Sequence, residues 1–383
     1  VSTPQGGSSG GNVRGWCPDA WRPMMAGDGL LVRVKPRLGR LTPVQAAGLA
    51  EAALACGSGS LDVTRRANLQ IRGVSEAAWP DLLDRLVAFG LVDADGVAES
   101  RRNILVSPEW KPGDDTHRIA AALHDRLGEL PALPGKVGFV IDAGAVPLLS
   151  AEPGDFRIER CSKGDLLLRA EGRAKGAPLR PGGEAQALLD LAQWFAVSGG
   201  PTAGRMARHA ASLPDWANGG AEPARPKPAL TPGMHELGAA YGLPFGRLKA
   251  QTLGQLAQMP GVRGIRTTPW RILMVEGGVP GEVDGLSIDP HEPLLRIDAC
   301  PGMPECPQSS VETRELARRL APHVAGRLHV SGCAKGCAHS GVADVVLTGR
   351  GGAYDLSFGQ RAGAPPLRAG LDIDSLIAHF GAT

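Results

Sequence analysis

The sequence lacks any apolar run approaching the roughly 18 to 20 residues that a bilayer-spanning helix needs, so no membrane span and no membrane partner are expected. It also lacks a charge excess. Its 41 lysines and arginines face 39 aspartates and glutamates, a formal charge of +2, which gives no domain-wide field for holding a nucleic-acid backbone. The stretch from Val1 to Asn12 is polar and rich in glycine and serine, without the apolar centre of a secretory signal. It reads as a disordered lead-in, and the expected compartment is the cytoplasm. What the chain does have is 383 residues, 43% of them hydrophobic, enough for a large core shared among several domains. Its 53 glycines and 32 prolines point to many tight loops between regular apolar segments.

The first such segments have clear signals. Gly29 to Lys35 is a short run rich in leucine and valine and reads as a strand. Thr42-Pro43-Val44-Gln45 then offers an N-cap, a proline at the first helical position and a capping-box glutamine, with Gly57 closing the helix after Cys56. Strands are expected at Leu61 to Thr64 and Leu69 to Arg72, and a helix through Leu82, Leu83, Leu86 and Phe89. That order, β-α-β-β-α, is a ferredoxin-like half. A strand at Asn103 to Val106, a helix at Asp114 to Leu127 and a strand at Lys136 to Asp142 suggest a second small α/β layer.

The chain then echoes itself. Gly39-Arg-Leu-Thr42 is matched by Gly246-Arg-Leu-Lys249, and Thr64 to Gly73 more faintly by Thr267 to Gly277. The strand ending at Val106 and Ser107 corresponds to Leu295 to Ala299 before Cys300, and Gly135 to Phe139 corresponds to Gly326 to Val330. Duplication is the favoured reading, chance likeness of short elements the alternative. The Gly-, Pro- and Ala-rich stretch from Asn218 to Pro232 reads as a semi-rigid linker between the copies.

Only the second copy carries clustered cysteines. Of seven in all, four fall in Cys300-Pro-Gly-Met-Pro-Glu-Cys306 and Cys333-Ala-Lys-Gly-Cys337. Each pair follows an expected strand, so the two loops can meet at one sheet edge. Soft thiolates select zinc or iron–sulfur clusters, and a five-residue gap suits a wide 4Fe-4S cubane better than one compact ion. Zinc or purely structural thiols are the alternatives. Gly302, Gly332 and Gly336 would let backbone N–H groups approach the sulfurs, and Lys335 would offset cluster charge. Cys17, Cys56 and Cys161 receive no chemistry.

This cysteine pattern resembles the sulfite and nitrite reductase family, in which it holds a 4Fe-4S cluster beside siroheme. Thr64-Arg65-Arg66-Ala67-Asn68-Leu69-Gln70-Ile71-Arg72-Gly73 is similar to that family's T-x-R-x-N-x-Q tetrapyrrole-binding stretch, with Arg66 at its key arginine. Arg102-Asn103 and Lys136 match two further positions, but Gly138 stands where the second lysine of a K-x-K motif belongs. Arg14 to Pro18 and Pro23 to Arg33 resemble the signature of the precorrin-3B synthases, the branch of the family that serves aerobic cobalamin biosynthesis.

The resemblance implies an α+β fold with a duplicated sulfite/nitrite reductase-like architecture: two ferredoxin-like halves and two α/β reductase-type domains, the second with the cluster. The corresponding boundaries are a lead-in at 1–12, then 13–90, 91–217, a linker at 218–232, 233–285 and 286–383. It implies an O2-dependent monooxygenase that hydroxylates precorrin-3A at C20 and closes a lactone from the ring A acetate. Electrons would come ultimately from NADH through a reductase or ferredoxin. A mononuclear non-haem iron is also implied. Its ligands are unknown, since no H-x-D or H-x-E pattern surrounds any of the nine histidines and neither His329 nor His339 stands out.

A polycarboxylate macrocycle needs several cations, and Arg33, Arg65, Arg66, Arg72, Arg102 and Lys136 lie on or beside expected strands. Arg66 and Arg102 are favoured, with about half of the set expected as surface charges or ion pairs. Asn68, Gln70 and Asn103 divide evenly between ligand contact and backbone capping. The alternative activity is siroheme-dependent sulfite or nitrite reduction, against which the missing lysine counts.

Overall fold

The computed structural model describes residues 18–382, which gather into two compact units: 18–25 with 29–290, and Ala26–Asp28 with 291–382. The Val1–Asn12 lead-in, Arg14 to Cys17 of the signature and the thiol of Cys17 lie outside the described residues.

In the larger unit the strands Gly29–Val34, Leu69–Val74, Ser60–Val63 and Arg247–Lys249 run side by side in that order, each pairing antiparallel. A second sheet repeats this with Gly238–Gly242, Ile272–Glu276, Gly264–Thr267 and Arg40–Leu41. Each copy therefore lends the other its short strand before the helix, so the two sheets are built by exchange. The helices that follow those strands, Pro43–Cys56 and Ala250–Gln258, pack on each other over one shared core. The capping box forms as expected: Gln45 N–H donates to Thr42 Oγ1 at 3.2 Å, and Thr42 N–H to Gln45 Oε1 at 3.1 Å.

The duplication extends to strained backbone. The only described non-glycine residues with positive φ are Leu38 (54°) and Phe245 (59°), Ala67 (55°) and Arg271 (59°), two pairs at matching turns. A left-handed residue with a Cβ costs energy, so its recurrence at equivalent places marks a turn that the surrounding sheet enforces.

The third sheet of the larger unit has the order Ile104–Val106, Phe139–Asp142, Phe156–Arg160, Leu166–Ala170 and Ala177–Pro178. Its first two pairings are parallel and its last two antiparallel. The smaller unit has the same plan in Ile297–Ala299, Leu328–Ser331, Ala343–Arg350, Ala353–Gln360 and Arg368–Leu371. Helix Asp115–Asp125, capped by Asp114, and helix Arg314–Leu320 occupy the same place between first and second strands.

The expected linker is not loose. Gly176 and Ala221 exchange backbone hydrogen bonds of 2.9 and 3.0 Å, Ala224 N–H donates to the Arg160 carbonyl at 2.9 Å, and Lys227 N–H to that of Pro147 at 2.9 Å. Leu230 is buried against Ala240, Ile272 and Met274. A stretch rich in proline has few N–H donors but keeps its carbonyls, and an apolar anchor does the rest.

Candidate functional site

The cysteine loops emerge from the carboxyl ends of two parallel strands of the smaller unit, the edge strand and its neighbour. Cys300 directly follows Ile297–Ala299, and Gly332-Cys333 follows Leu328–Ser331. Cys300 is buried, Cys306 and Cys333 half-buried, Cys337 exposed. Gly332 N–H donates to Cys300 Sγ at 3.2 Å. A Cβ on Gly332 would meet Ser309 Oγ at 1.9 Å, and one on Gly302 (φ +72°) would meet Thr313 Oγ1 at 2.6 Å. Thr313 precedes helix Arg314–Leu320 without capping it, and its hydroxyl donates to the Cys300 carbonyl. Ser309 and Thr313 are thus supports of the loop that spacing alone did not reveal.

Burial raises the Cys300 thiol, and the partial desolvation of its sulfur raises that of Cys337, although the residue as a whole is exposed. Cys300 also feels Cys306 and Cys333, Cys337 feels the other three, and Lys335 pulls Cys337 back down. The four sulfurs therefore share one electrostatic neighbourhood. Among the described residues, no three His, Cys, Asp or Glu side chains are placed to hold a single metal ion. Thiols of which one accepts a backbone N–H are the donor chemistry that an iron–sulfur cluster takes. For the implied mononuclear iron no ligand set emerges among the described residues, so no step is assigned to it.

In the larger unit, the Thr64–Asn68 turn presents the cationic stretch. Thr64 Oγ1 accepts from the N–H groups of Arg66 (3.3 Å) and Asn68 (3.2 Å), and Thr64 N–H donates to the Asn68 carbonyl at 2.9 Å. Half-buried Arg66 reaches from this turn to the neighbouring sheet. Its Nη1 donates to Asn103 Oδ1 at 2.9 Å and its Nη2 to the Lys136 carbonyl at 2.7 Å. Asn103 Nδ2 in turn donates to the Val137 carbonyl. Arg65 is exposed, Lys136 half-buried and Asn68 buried. Gln70 Oε1 accepts from Arg33 Nη2 at 3.3 Å, and buried Arg72 pairs with Asp62 at 3.1 Å.

Arg102, favoured as a carboxylate clamp, turns inward instead. It is 8% exposed; Nη1 donates to Glu99 Oε2 at 2.7 Å and to the Leu91 carbonyl at 3.3 Å, and Nη2 to the Lys35 carbonyl at 2.6 Å. Fully buried Glu99 also accepts from Asp93 N–H at 2.9 Å, while Lys35 Nζ donates to its carbonyl at 2.6 Å. A guanidinium so committed holds the corner before strand Ile104–Val106. The sequence did not distinguish it from Arg66 because both sit beside strands.

Gly138, where the second lysine would stand, lies against Asn103. A Cβ on Gly138 would lie 2.9 Å from Asn103 Nδ2 and 3.0 Å from the Asn103 carbonyl. Beside the turn sits a further residue that the motifs did not signal, Glu152. Its carboxyl is pushed up mainly by burial and held back by Trp270, whose Nε1 donates to Oε1 at 2.8 Å, and by the charges of Arg65 and Arg157.

Comparison with known proteins follows the same outline. Residues 22–89 match the nitrite/sulfite reductase ferredoxin-like half domain. A precorrin-3B synthase of Sinorhizobium sp is 30% identical, over 92% of this chain and 84% of that protein. The chain belongs to the precorrin-3B synthase family. A ferredoxin–nitrite reductase of Synechococcus elongatus is 24% identical, over 87% of this chain and 78% of its own length. The NirA protein of Mycobacterium tuberculosis has the same fold, with a TM-score of 0.56 at 18% identity over 91% of this chain and 78% of that one. The family and its mixed α+β, sulfite/nitrite reductase-like fold agree with the expectation from the motifs.

Proposed function

We propose that this protein converts precorrin-3A to precorrin-3B. One oxygen atom of O2 enters as a hydroxyl at C20, the other leaves as water, two electrons come ultimately from NADH, and the ring A acetate closes a lactone. The observation that carries the reading is the likeness to a precorrin-3B synthase along nearly the whole chain. Gly138 supports it, because the second lysine of the K-x-K motif that anion reduction would use is absent.

In this reading Arg65, Arg66 and Lys136 meet the substrate carboxylates, and Asn68 and Gln70 border the same turn. Cys300, Cys306, Cys333 and Cys337 would hold a 4Fe-4S cluster, which supplies single electrons when bound. A reductase or ferredoxin in the cytoplasm would deliver them. Among the described residues no helix is long and apolar enough to cross a membrane.

Protein purified without oxygen is expected to show a broad iron–sulfur spectrum without siroheme bands, and to hydroxylate precorrin-3A when O2 and reductant are added. Tightly bound siroheme with turnover of sulfite or nitrite would replace this reading with anion reduction.

A further inference from the structure

We infer that Asp298, His329 and His339 form one positioning device for the loop that carries Cys333 and Cys337; its bearing on a bound cluster rests on the cluster reading above. Asp298 and His329 stand directly opposite each other on the first two strands of the smaller unit's sheet, 4% and 0% exposed. Asp298 Oδ2 accepts from Arg327 Nη1 at 2.6 Å and lies 3.5 Å from His339 Nδ1. The His339 ring meets that of His329 edge to face, with 5.9 Å between their centres. A carbonyl can only accept, so Nε2 of His339 carries a proton and donates to the Val342 carbonyl at 3.2 Å.

The loop closes over this set. Gly336 (φ +62°) precedes Cys337, and a Cβ on it would stand 3.6 Å from His329 Cε1. His339 follows Cys337 by two residues, so its contacts with Asp298 and Val342 fix the far end of the loop. At the near end Ser331 Oγ donates to the Cys333 carbonyl at 2.7 Å. The other copy shows that the sheet itself does not ask for these residues. At the same register it has Leu105 and Val140, packed with Ala67, Leu148 and Leu149 in an apolar cluster. Burying a carboxylate and an imidazole where hydrocarbon serves costs stability, and only the copy with the thiols does so. Among the described residues these three side chains are not placed to hold a metal ion of their own. Their contacts run to the turn and the flank of the thiol loop, as those of residues that orient metal ligands do.

The test uses the holoprotein. Asp298→Leu with His329→Val imports the apolar pair that the first copy already uses, and His339→Leu cuts the link at the far end of the loop without touching the sheet. Each is expected to release iron to EDTA roughly tenfold faster than wild type, as loss of a metal ligand's support does, and the triple variant no faster than the double one. The paramagnetic resonance spectrum of the reduced cluster should change in all of them. Asp298→Asn keeps an oxygen for Arg327 and His339 and should stay near the wild-type rate. Amide hydrogen exchange across residues 334–341 reads the device without reference to iron and should quicken in the same variants. Uroporphyrin I, a stable octacarboxylic porphyrin followed by its fluorescence, reports on the larger unit: wild-type affinity is expected throughout, and a loss matching that of iron would mean general unfolding and overturn the inference. So would wild-type iron release with an unchanged spectrum in His339→Leu, or additive effects in the triple variant. Wild-type protein without an iron–sulfur spectrum defeats the cluster reading, and hydrogen exchange then decides the device by itself.

Discussion

At the turn joining Ser60–Val63 to Leu69–Val74 stands Arg66, two bonds deep in the neighbouring loop; at the counterpart turn of the second copy stands Trp270. Both turns are stapled by a threonine hydroxyl and both pass through a left-handed residue, Ala67 or Arg271. Gln70 of the first copy becomes Met274, and Leu230 packs over the second face. In the larger sheets the asymmetry runs the other way: the places of Cys300 and Cys333 are taken in the first copy by Ser107 and Gly144. A duplicated backbone has thus kept cations on one copy and thiols on the other, with packing residues in the vacated positions. The backbone plan is set by sheet register and turns, which tolerate many side chains. The chemistry is set by a few substitutions at fixed places.

The largest test of this division concerns the corner before the first strand of each larger sheet. The first copy builds it on buried Arg102 and Glu99; the second has Leu295 in place of Arg102, with Arg296 donating to the carbonyls of Gly326, Ala321 and Val324. Arg102→Ala leaves buried Glu99 with Lys35, 3.7 Å away, as its remaining ion-pair partner and is expected to cost about 3 kcal/mol in urea unfolding. Arg66→Ala should cost about 1 kcal/mol. If Arg102→Ala folds with wild-type stability and binds porphyrin weakly, Arg102 belongs with the substrate cations after all.

A smaller effect, confined to the first copy, is acid sensitivity. His124 on helix Asp115–Asp125 is pushed down to about 4, chiefly by burial and then by the charges of Arg37 and Arg102, against the opposing pull of Asp125 and Asp93. Helix Arg314–Leu320 has no histidine. The unfolded chain binds this proton near the ordinary value of 6.5 and the folded one only near 4. Stability from keeping His124 neutral is therefore complete above about pH 6.5 and is lost as pH falls toward about 4. His124→Gln should flatten that part of the curve by on the order of 2 kcal/mol. Identical slopes for variant and wild type between those limits would show that the ring titrates normally.

How much of this was legible beforehand follows from the same contrast. Capping residues, strand runs and the paired cysteine loops announce themselves locally, and the helix at Pro43–Cys56 begins and ends where its signals lie. Strand exchange between the small sheets was hidden, because Arg40–Leu41 and Arg247–Lys249 are too short to carry a pattern. The inward turn of Arg102 was hidden for another reason: its partner Glu99 sits in a short, polar helix with no apolar periodicity to show that it is buried. Gly138 was visible as a missing lysine, but its neighbour was not: a Cβ there would meet Asn103, 35 positions earlier.

The smallest effect separates the two turns most directly. Thr64 Oγ1 accepts from two N–H groups; Thr268 Oγ1 accepts from Trp270 N–H at 3.3 Å and donates to the Ile272 carbonyl at 2.9 Å. Replacing either by valine removes a hydroxyl of similar use, so each variant should lose about 1 kcal/mol of stability. Thr268 is fully buried and should stand at the upper end of that range. Porphyrin affinity should divide them. Thr64→Val loosens the turn that carries Arg66 and weakens binding a few-fold, whereas Thr268→Val loosens a turn whose tryptophan is packing and leaves binding unchanged. Equal losses of affinity in both would mean that the second turn still takes part in recognition, and that the division between the copies is less complete than their side chains suggest.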